Sequence, residues 1–194
     1  MDNNTFTLDR LFPSAVIYKD FTVPNQNNII KVSKQILDQY SGKPFYSPCR
    51  STVHTKADIL KMPEFLEIQT QITGVISVYI AEHKIDANRL TLVDSWLNQY
   101  DIHGYQDLHH HPASILSGVY YIKSKGNKDF SFQAPWHFHQ GVIPEYTKQT
   151  IENCHNVEYE SKEGRCMVWM SHLMHRTFPA TEERISLSFN VTYT

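Results

Sequence analysis

The chain has 194 residues, a formal net charge of −2 at pH 7, and 41% hydrophobic and 20% charged residues. These values are ordinary for a globular protein, and the length suits a single domain over residues 1–194. The near-neutral charge excludes a strongly basic protein, so we expect no nucleic-acid partner. No apolar run approaches the roughly 20 residues that cross a membrane, so we expect no membrane partner either.

The N-terminal residues and the cysteines indicate the compartment. Residues 1–5 lack the basic and apolar segments of a secretory signal. The three cysteines, Cys49, Cys154 and Cys166, are odd in number and widely spaced, which argues against a disulfide framework. The sequence therefore predicts a cytoplasmic protein.

The first half of the chain predicts one strand and two helices. An entry strand is expected within residues 5–23. Apolar residues spaced for one face predict a helix over residues 27–40, which ends near Gly42. A second helix is predicted over residues 63–83, and Pro63 suits its first turn. Both apolar faces are typical of core packing.

From residue 89 onward the apolar pattern changes from helical to alternating, which is typical of strands. The predicted strands cover residues 89–100, 107–111, 114–123, 130–133, 155–160, 165–170 and 184–193. This order predicts a mostly β protein with N-terminal helices. We expect residues 1–88 to support a core formed by residues 89–194, which is either a β-sandwich or a cupin-like jelly roll, with residues 135–154 as a loop or partial helix over the site.

A cluster of histidines predicts a metal site. Of the 11 histidines, all but two lie between residues 103 and 175. On a strand, His109 and His111 would share one face, so the pair could hold one metal ion. His175 can complete a triad, because distant residues meet at the open end of a jelly roll. Asp107 shares the same strand face, so Asp107, His109 and His175 form a competing triad.

An arginine nine residues beyond the last of these histidines predicts an anion anchor. The planar fork of Arg184 suits a bidentate carboxylate, and Ser186 on the same strand face offers a second donor. The alternative is a structural ion pair between Arg184 and a nearby glutamate, with Glu182, Glu183 and Glu163 as the candidates.

Four ordered motifs carry a family resemblance. They are His-x-His-Pro at 109–112, Leu-Ser-Gly-Val-Tyr-Tyr at 116–121, a segment from Gly164 to His175, and Arg-Ile-Ser-Leu-Ser-Phe-Asn at 184–190. In this order they resemble the 2-oxoglutarate/Fe(II) oxygenases of marine bacteria and their phages. The Trp-Leu-Asn segment at 96–98 also matches an element of that family, and the resemblance spans roughly residues 94–194.

The resemblance implies a double-stranded β-helix fold with Fe(II) held by His109, His111 and His175. It also implies that 2-oxoglutarate chelates the iron and forms a salt bridge with Arg184. The implied reaction hydroxylates a substrate C–H bond while 2-oxoglutarate is decarboxylated to succinate. A phage-encoded protein would work in the host cytoplasm.

Three further residues are candidates for cofactor contacts. Ser117 and Tyr121 lie four residues apart and share a strand face, so they are predicted to line the cofactor pocket. Core packing explains Tyr121 equally well. Asn98 could hydrogen-bond 2-oxoglutarate or a metal-bound water.

The chain departs from the family pattern at several positions. His111 stands where most oxygenases of the wider class carry Asp or Glu. Trp-Met-Ser at 169–171 replaces the usual Phe-Pro-Ser, and Ala-Pro-Trp at 134–136 replaces Asp-Pro-Arg. If the Asp-Pro-Arg element contacts substrate or cofactor, its replacement predicts an altered specificity. A second His-x-His pair, His137 and His139, could line the substrate side or form a second metal site, although surface histidines are the simpler interpretation.

Two alternative functions stay open at this point. A cupin-like three-histidine dioxygenase would need no cosubstrate and hence no Arg184. A non-catalytic metal-binding β-sandwich module, such as a virion or scaffold protein, would use the metal for stability. The sequence does not distinguish a small-molecule substrate from a protein substrate, and an apolar helix face could serve a homodimer as well as a core.

Overall fold

The computed structural model describes residues 12–40, 48–55, 57–136 and 141–194. Two α-helices lie in this part of the chain, α1 (Gln26–Tyr40) and α2 (Leu66–His83). They confirm the helices predicted over 27–40 and 63–83, except that Pro63–Phe65 forms a 3-10 turn ahead of α2. The left-handed backbone of Lys84 ends α2, where its N–H donates to the carbonyls of the last turn. Gly42 lies outside the described residues.

Ten strands form two antiparallel sheets in the described residues. They are β1 (Val16–Asp20), β2 (Arg50–Ser51), β3 (Leu90–Tyr100), β4 (Gln106–His109), β5 (Leu116–Lys123), β6 (Phe130–Gln133), β7 (Asn156–Tyr159), β8 (Arg165–Met170), β9 (His175–Thr177) and β10 (Arg184–Tyr193). The larger sheet has the order β1-β8-β5-β10-β3-β2, and the smaller sheet has the order β4-β9-β6-β7.

The larger sheet buries both of its faces. Leu116, Tyr120 and Ile122 of β5 pack with the two helices in what we call the helix-side core. The alternate residues Val119 and Tyr121 pack in a second cluster that includes aromatic residues of β6, which we call the inter-sheet core. Burial on both faces explains why β5 is an almost unbroken apolar run.

The strands predicted over 130–133, 165–170 and 184–193 are confirmed to the residue. β4 differs, because it ends at His109 and leaves His111 in the following turn. β2 and β9 were not predicted. The described part of residues 135–154 contains turns and bends without a helix. Within the described ranges, we find no helix of sufficient length and apolar character to span a membrane.

Candidate metal and cosubstrate site

Three histidine side chains converge at one end of the inter-sheet space. His109, the last residue of β4, lies directly opposite His175, the first residue of β9. His111 reaches the same place from the turn, where its backbone N–H donates to the carbonyl of Ser171 over 3.0 Å. One ligand atom from each of the three rings lies within 4.8 Å of the others. This spacing is small enough for one metal ion to contact all three rings.

Backbone carbonyls orient two of the three rings. The Nδ1 atom of His109 lies 2.7 Å from the carbonyl oxygen of Asp107, and the Nδ1 atom of His175 lies 2.9 Å from that of Leu173. A carbonyl oxygen only accepts, so each Nδ1 carries the proton and donates it. Each Nε2 therefore keeps its lone pair for a metal ion.

A polar side-chain network orients the third ring. The Nδ1 atom of His111 lies 2.7 Å from Oδ1 of Asn190 and 3.0 Å from Oγ of Ser117. The Ser117 hydroxyl also contacts Oδ1 of Asn190 at 2.9 Å and Oγ of Ser171 at 2.7 Å. Ser117 therefore lies behind His111 and is not among the residues that line the cavity beside the cluster. This differs from the predicted cofactor contact.

Burial favours the neutral form of all three imidazoles. Desolvation is the largest cause that lowers the pKa of His109 and of His111, and it holds the pKa of His175 well below its ordinary value. A histidine must be neutral to bind a metal. The cluster is therefore ready to bind a cation near neutral pH.

The structure does not bring together the side chains of the competing triad, Asp107, His109 and His175. Asp107 is exposed, and its contribution to the cluster is the backbone carbonyl that accepts from His109. The group that can hold a metal ion in the described residues consists of His109, His111 and His175.

A cavity of about 150 Å³ extends from the histidine cluster between the two sheets. Arg184, at the start of β10, lines this cavity and is 2% exposed. Its Nη1 donates to the carboxylate of Asp129, and its guanidinium carbon lies 4.5 Å from the centre of the Tyr100 ring. Nε and Nη2, which form one edge of the planar fork, have no hydrogen-bond partner in the described residues. That edge can take a carboxylate.

The alternative interpretation placed Arg184 in an ion pair with a nearby glutamate, whereas the ion pair that Arg184 forms involves Asp129. Glu182 pairs with Lys125, and Glu183 lies between Lys34 and Lys123. Asp129 was missed by the sequence analysis because a single aspartate at the start of a short strand carries no pattern.

Two more of the predicted cofactor residues line the cavity near Arg184. Ser186 of β10 and Tyr121 of β5 are cross-strand partners, and both are buried. The Tyr121 hydroxyl has no hydrogen-bond partner in the part of the chain that is described. Burial raises the pKa of Tyr121, so this hydroxyl stays protonated and can donate.

Asn98 also lines the cavity, although both ends of its amide are already engaged. Its Oδ1 accepts from the hydroxyl of Ser51 at 2.7 Å, and its Nδ2 donates to that of Ser188 at 3.1 Å.

Aromatic side chains shield His175. The ring centre of Trp169 lies 4.9 Å from that of His175, and those of Phe130 and Phe132 lie at 5.7 and 6.1 Å. These residues belong to the inter-sheet core and exclude water from this side of the cluster. His137 and His139 lie outside the described residues.

A protein-family model described as "Putative 2OG-Fe(II) oxygenase" matches residues 94–190, which is half of the chain and includes the three histidines and Arg184. The chain belongs to the 2OG-Fe(II) oxygenase family. The oxygenase uses Fe(II) and 2-oxoglutarate, and the three-histidine cluster fits an iron site. The predicted family, activity class and cofactors are confirmed, whereas a source in marine bacteria and phages stays a prediction.

Solved structures of low sequence identity share the fold of the oxygenase. A prolyl-4-hydroxylase from Pseudomonas putida has 12% identity and a TM-score of 0.60, and the match covers 93% of this chain and 94% of that chain. A viral collagen prolyl hydroxylase from Paramecium Bursaria Chlorella virus-1, in its 2OG complex, has 13% identity and a TM-score of 0.57 over 92% and 96% of the two chains.

A third similar structure is HygX from Streptomyces hygroscopicus, crystallised with nickel and 2-oxoglutarate. It has 10% identity and a TM-score of 0.59, and the match covers 93% of this chain and 84% of that chain. No curated protein sequence matches the oxygenase significantly. The structural matches confirm the predicted double-stranded β-helix fold.

Proposed function

We propose that the oxygenase hydroxylates a C–H bond of its substrate with O2, placing one oxygen atom in the product hydroxyl and the other in succinate as 2-oxoglutarate loses CO2. His109, His111 and His175 would bind the iron through Nε2, and Arg184 would bind the distal carboxylate of 2-oxoglutarate. The observation that carries this proposal is one cavity with three oriented imidazoles at one end and a buried, partly unbonded guanidinium on its wall.

Charge supports the same assignment. Three neutral imidazoles leave both positive charges of Fe(II) uncompensated, and dianionic 2-oxoglutarate would neutralise them. The guanidinium of Arg184 is neutralised by Asp129, so the cavity wall does not carry an unpaired buried cation.

The donors in the cavity match the acceptors of a carboxylate. The Nε and Nη2 edge of Arg184 would hold both oxygens, and the hydroxyls of Ser186 in the same strand and of Tyr121 in the adjacent strand would add neutral donors. Bound iron would activate O2, and 2-oxoglutarate would supply two of the four electrons that reduce it. The rings of Trp169 and Phe130 beside His175 exclude water there.

Calorimetric titration of 2-oxoglutarate tests the proposal without turnover if Ni(II) replaces Fe(II). We expect one equivalent of 2-oxoglutarate to bind the Ni(II)-loaded protein and much weaker binding without metal. His175→Ala should lose the metal-dependent binding. A Ni(II)-loaded protein that binds no 2-oxoglutarate would contradict the proposal and would favour a metal site without a cosubstrate.

We also propose a cytoplasmic location, a single functional unit over residues 1–194 and either a small molecule or a protein side chain as substrate. In the described residues, Cys49, Cys154 and Cys166 form no disulfide bond, which suits a reducing compartment. The similar structures include prolyl hydroxylases and an enzyme crystallised with hygromycin B, so both substrate classes are supported by the fold. Size-exclusion chromatography would test for a homodimer.

A further inference from the structure

The ring of His111 is linked to a carboxylate through one side-chain amide. Asn190 of β10 lies directly opposite Asp94 of β3 in the sheet register, so their side chains share one face. The amide oxygen of Asn190 accepts from His111 at 2.7 Å and from Ser117 at 2.9 Å. Burial raises the pKa of the Asp94 carboxyl, and a hydrogen bond from the Asn190 side chain opposes that rise, which assigns the amide nitrogen of Asn190 to Asp94.

The direction of these hydrogen bonds is determined by chemistry. A carboxylate only accepts, so the Asn190 amide donates to Asp94 and accepts from the Nδ1–H of His111. An amide whose N–H groups are held by an anion is a stronger acceptor at its oxygen, because chains of hydrogen bonds polarise one another. A stronger acceptor at Nδ1 makes Nε2 a more basic metal ligand.

Among the three histidines, this chain of hydrogen bonds reaches His111. His109 and His175 donate to backbone carbonyls, whereas His111 donates to the side chain of Asn190. The common non-heme iron site includes one carboxylate among its ligands, whereas this cluster consists of three imidazoles. The negative charge that is absent from the ligand set is therefore present one amide away, on Asp94.

We propose that Asp94, acting through Asn190, supplies His111 with part of the negative charge that a carboxylate ligand would provide, and so sets the metal affinity of the site. Asp94 is a positioning residue in this scheme, since it does not touch the metal. The inference rests on the proposed role of His111 as a ligand. Asp94 is exposed to solvent, which screens its charge, so its effect on metal affinity should lie at the lower end of those known for residues that hydrogen-bond metal ligands.

Titration of the purified apoprotein with Co(II), followed through its visible absorption, measures this affinity. Asp94→Asn keeps the size and an acceptor oxygen but removes the charge, and we expect about fivefold to tenfold weaker Co(II) binding. Asp58→Asn is the matched control, because Asp58 lies close enough to influence Asp94 but bonds Ser95 and Lys61 instead. Its Co(II) affinity should stay within about twofold of wild type.

A double variant, Asp94→Asn with Asn190→Asp, exchanges the carboxylate and the amide. The net charge and the hydrogen-bond chain are retained, and the carboxylate now contacts His111 directly. We expect Co(II) affinity equal to or tighter than that of wild type. The thermal midpoints of all apoproteins should agree, which separates the effect from a loss of folding.

A second readout is the NMR signal of the His111 Nδ1–H in the Zn(II) form, which should shift in Asp94→Asn and stay unchanged in Asp58→Asn. The inference is overturned if Asp94→Asn binds Co(II) as tightly as wild type, if Asp58→Asn weakens binding equally, or if the exchange does not restore affinity. A wild-type protein that binds no Co(II) would instead contradict the three-histidine site itself.

Discussion

The guanidinium of Arg184 is held on two sides before any ligand binds. The Asp129 carboxylate accepts a hydrogen bond from Nη1, and the centre of the Tyr100 ring lies 4.5 Å from the guanidinium carbon. Both contacts fix the plane of the fork and leave the Nε and Nη2 edge unbonded within the described residues. A pre-oriented donor pair loses less conformational freedom when a carboxylate binds.

Arg184→Lys should therefore weaken 2-oxoglutarate although the charge is kept. A lysine ammonium has no planar fork and cannot keep the Asp129 contact and a bidentate contact together. We expect binding to the Ni(II)-loaded protein to weaken by about tenfold or more, which is about 1.4 kcal/mol or more. Calorimetry measures this change.

The control ligand for this experiment is 2-oxopentanoate, which lacks the distal carboxylate. Its affinity should be the same in wild type and Arg184→Lys. An equal loss for both ligands would mean that Arg184 maintains the cavity and does not bind the distal carboxylate.

Residue chemistry explains which site residues the sequence could predict. The sequence could predict four of them because histidine and arginine side chains have a specific chemistry and few positions carry it. These four are His109, His111, His175 and Arg184. Asp129 and Asn190 act through partners 55 and 79 residues away in the chain, and such pairs are set by the folded sheets. The sequence contains Asn190 within a motif but does not show that it contacts His111.

Two glycines give a matched test at the scale of single elements. A Cβ on Gly118 in β5 would lie 2.1 Å from the Phe189 ring of β10 and 2.7 Å from a backbone oxygen of β8. A Cβ on Gly74, in an exposed turn of α2, would meet no atom within 4 Å. The same Gly→Ala substitution therefore meets close contacts at Gly118 and open space at Gly74.

We expect Gly118→Ala to destabilise the protein by about 1–3 kcal/mol, because overpacking displaces the Phe189 ring and the neighbouring strand. Gly74→Ala should stabilise it by about 0.5–1 kcal/mol through helix propensity. Urea unfolding measures both changes. A Gly118→Ala variant as stable as wild type would show that the helix-side core can accommodate a methyl group at this position.

The length of an element decided whether its sequence revealed it. β10 has ten residues and α2 has eighteen, so both show several periods of their apolar pattern. β9 has three residues and β2 has two, which is too short for an alternation to be recognised. β9 carries His175, which was predicted as a metal ligand from its residue type and spacing although the strand itself was not predicted.

The strand predicted through residue 111 stops earlier, at His109. The backbone of His111 bonds Ser171 between β8 and β9, and Pro112 follows it. The ring centres of His109 and His111 still lie 5.3 Å apart. The turn therefore brings the two rings together, as the predicted strand was expected to do.

At the scale of the whole molecule, the site depends on both sheets. His109 and His175 come from the smaller sheet, and Arg184 comes from the larger one. The edge of the larger sheet is fastened by Asp20 of β1, whose two oxygens accept from Nε and Nη2 of Arg165 at 2.8 and 3.1 Å. Lys162 adds a third contact at 2.8 Å.

The hydrogen bond from Arg165 is the main cause that lowers the pKa of Asp20 from 3.8 to about 2. A carboxyl whose pKa is lower in the folded state stabilises the fold above its unfolded pKa and loses that contribution as the pH falls. Asp20→Asn should therefore cost about 1 kcal/mol at pH 7, a value reduced because solvent screens this partly exposed pair.

Urea unfolding between pH 7 and pH 3 measures the difference between wild type and Asp20→Asn. It should be constant above about pH 5 and shrink below pH 4, toward zero near pH 2. A difference that does not change with pH would assign the effect of Asp20 to packing and not to charge.

The most direct test of the proposed site is an anaerobic titration of the apoprotein with Fe(II) and 2-oxoglutarate, followed through the visible metal-to-ligand charge-transfer band. We expect the band in wild type, no band in His175→Ala, and a band in Arg184→Ala only at far higher 2-oxoglutarate. Fe(II) bound by the wild type without any band would contradict a shared site for iron and 2-oxoglutarate in this cavity.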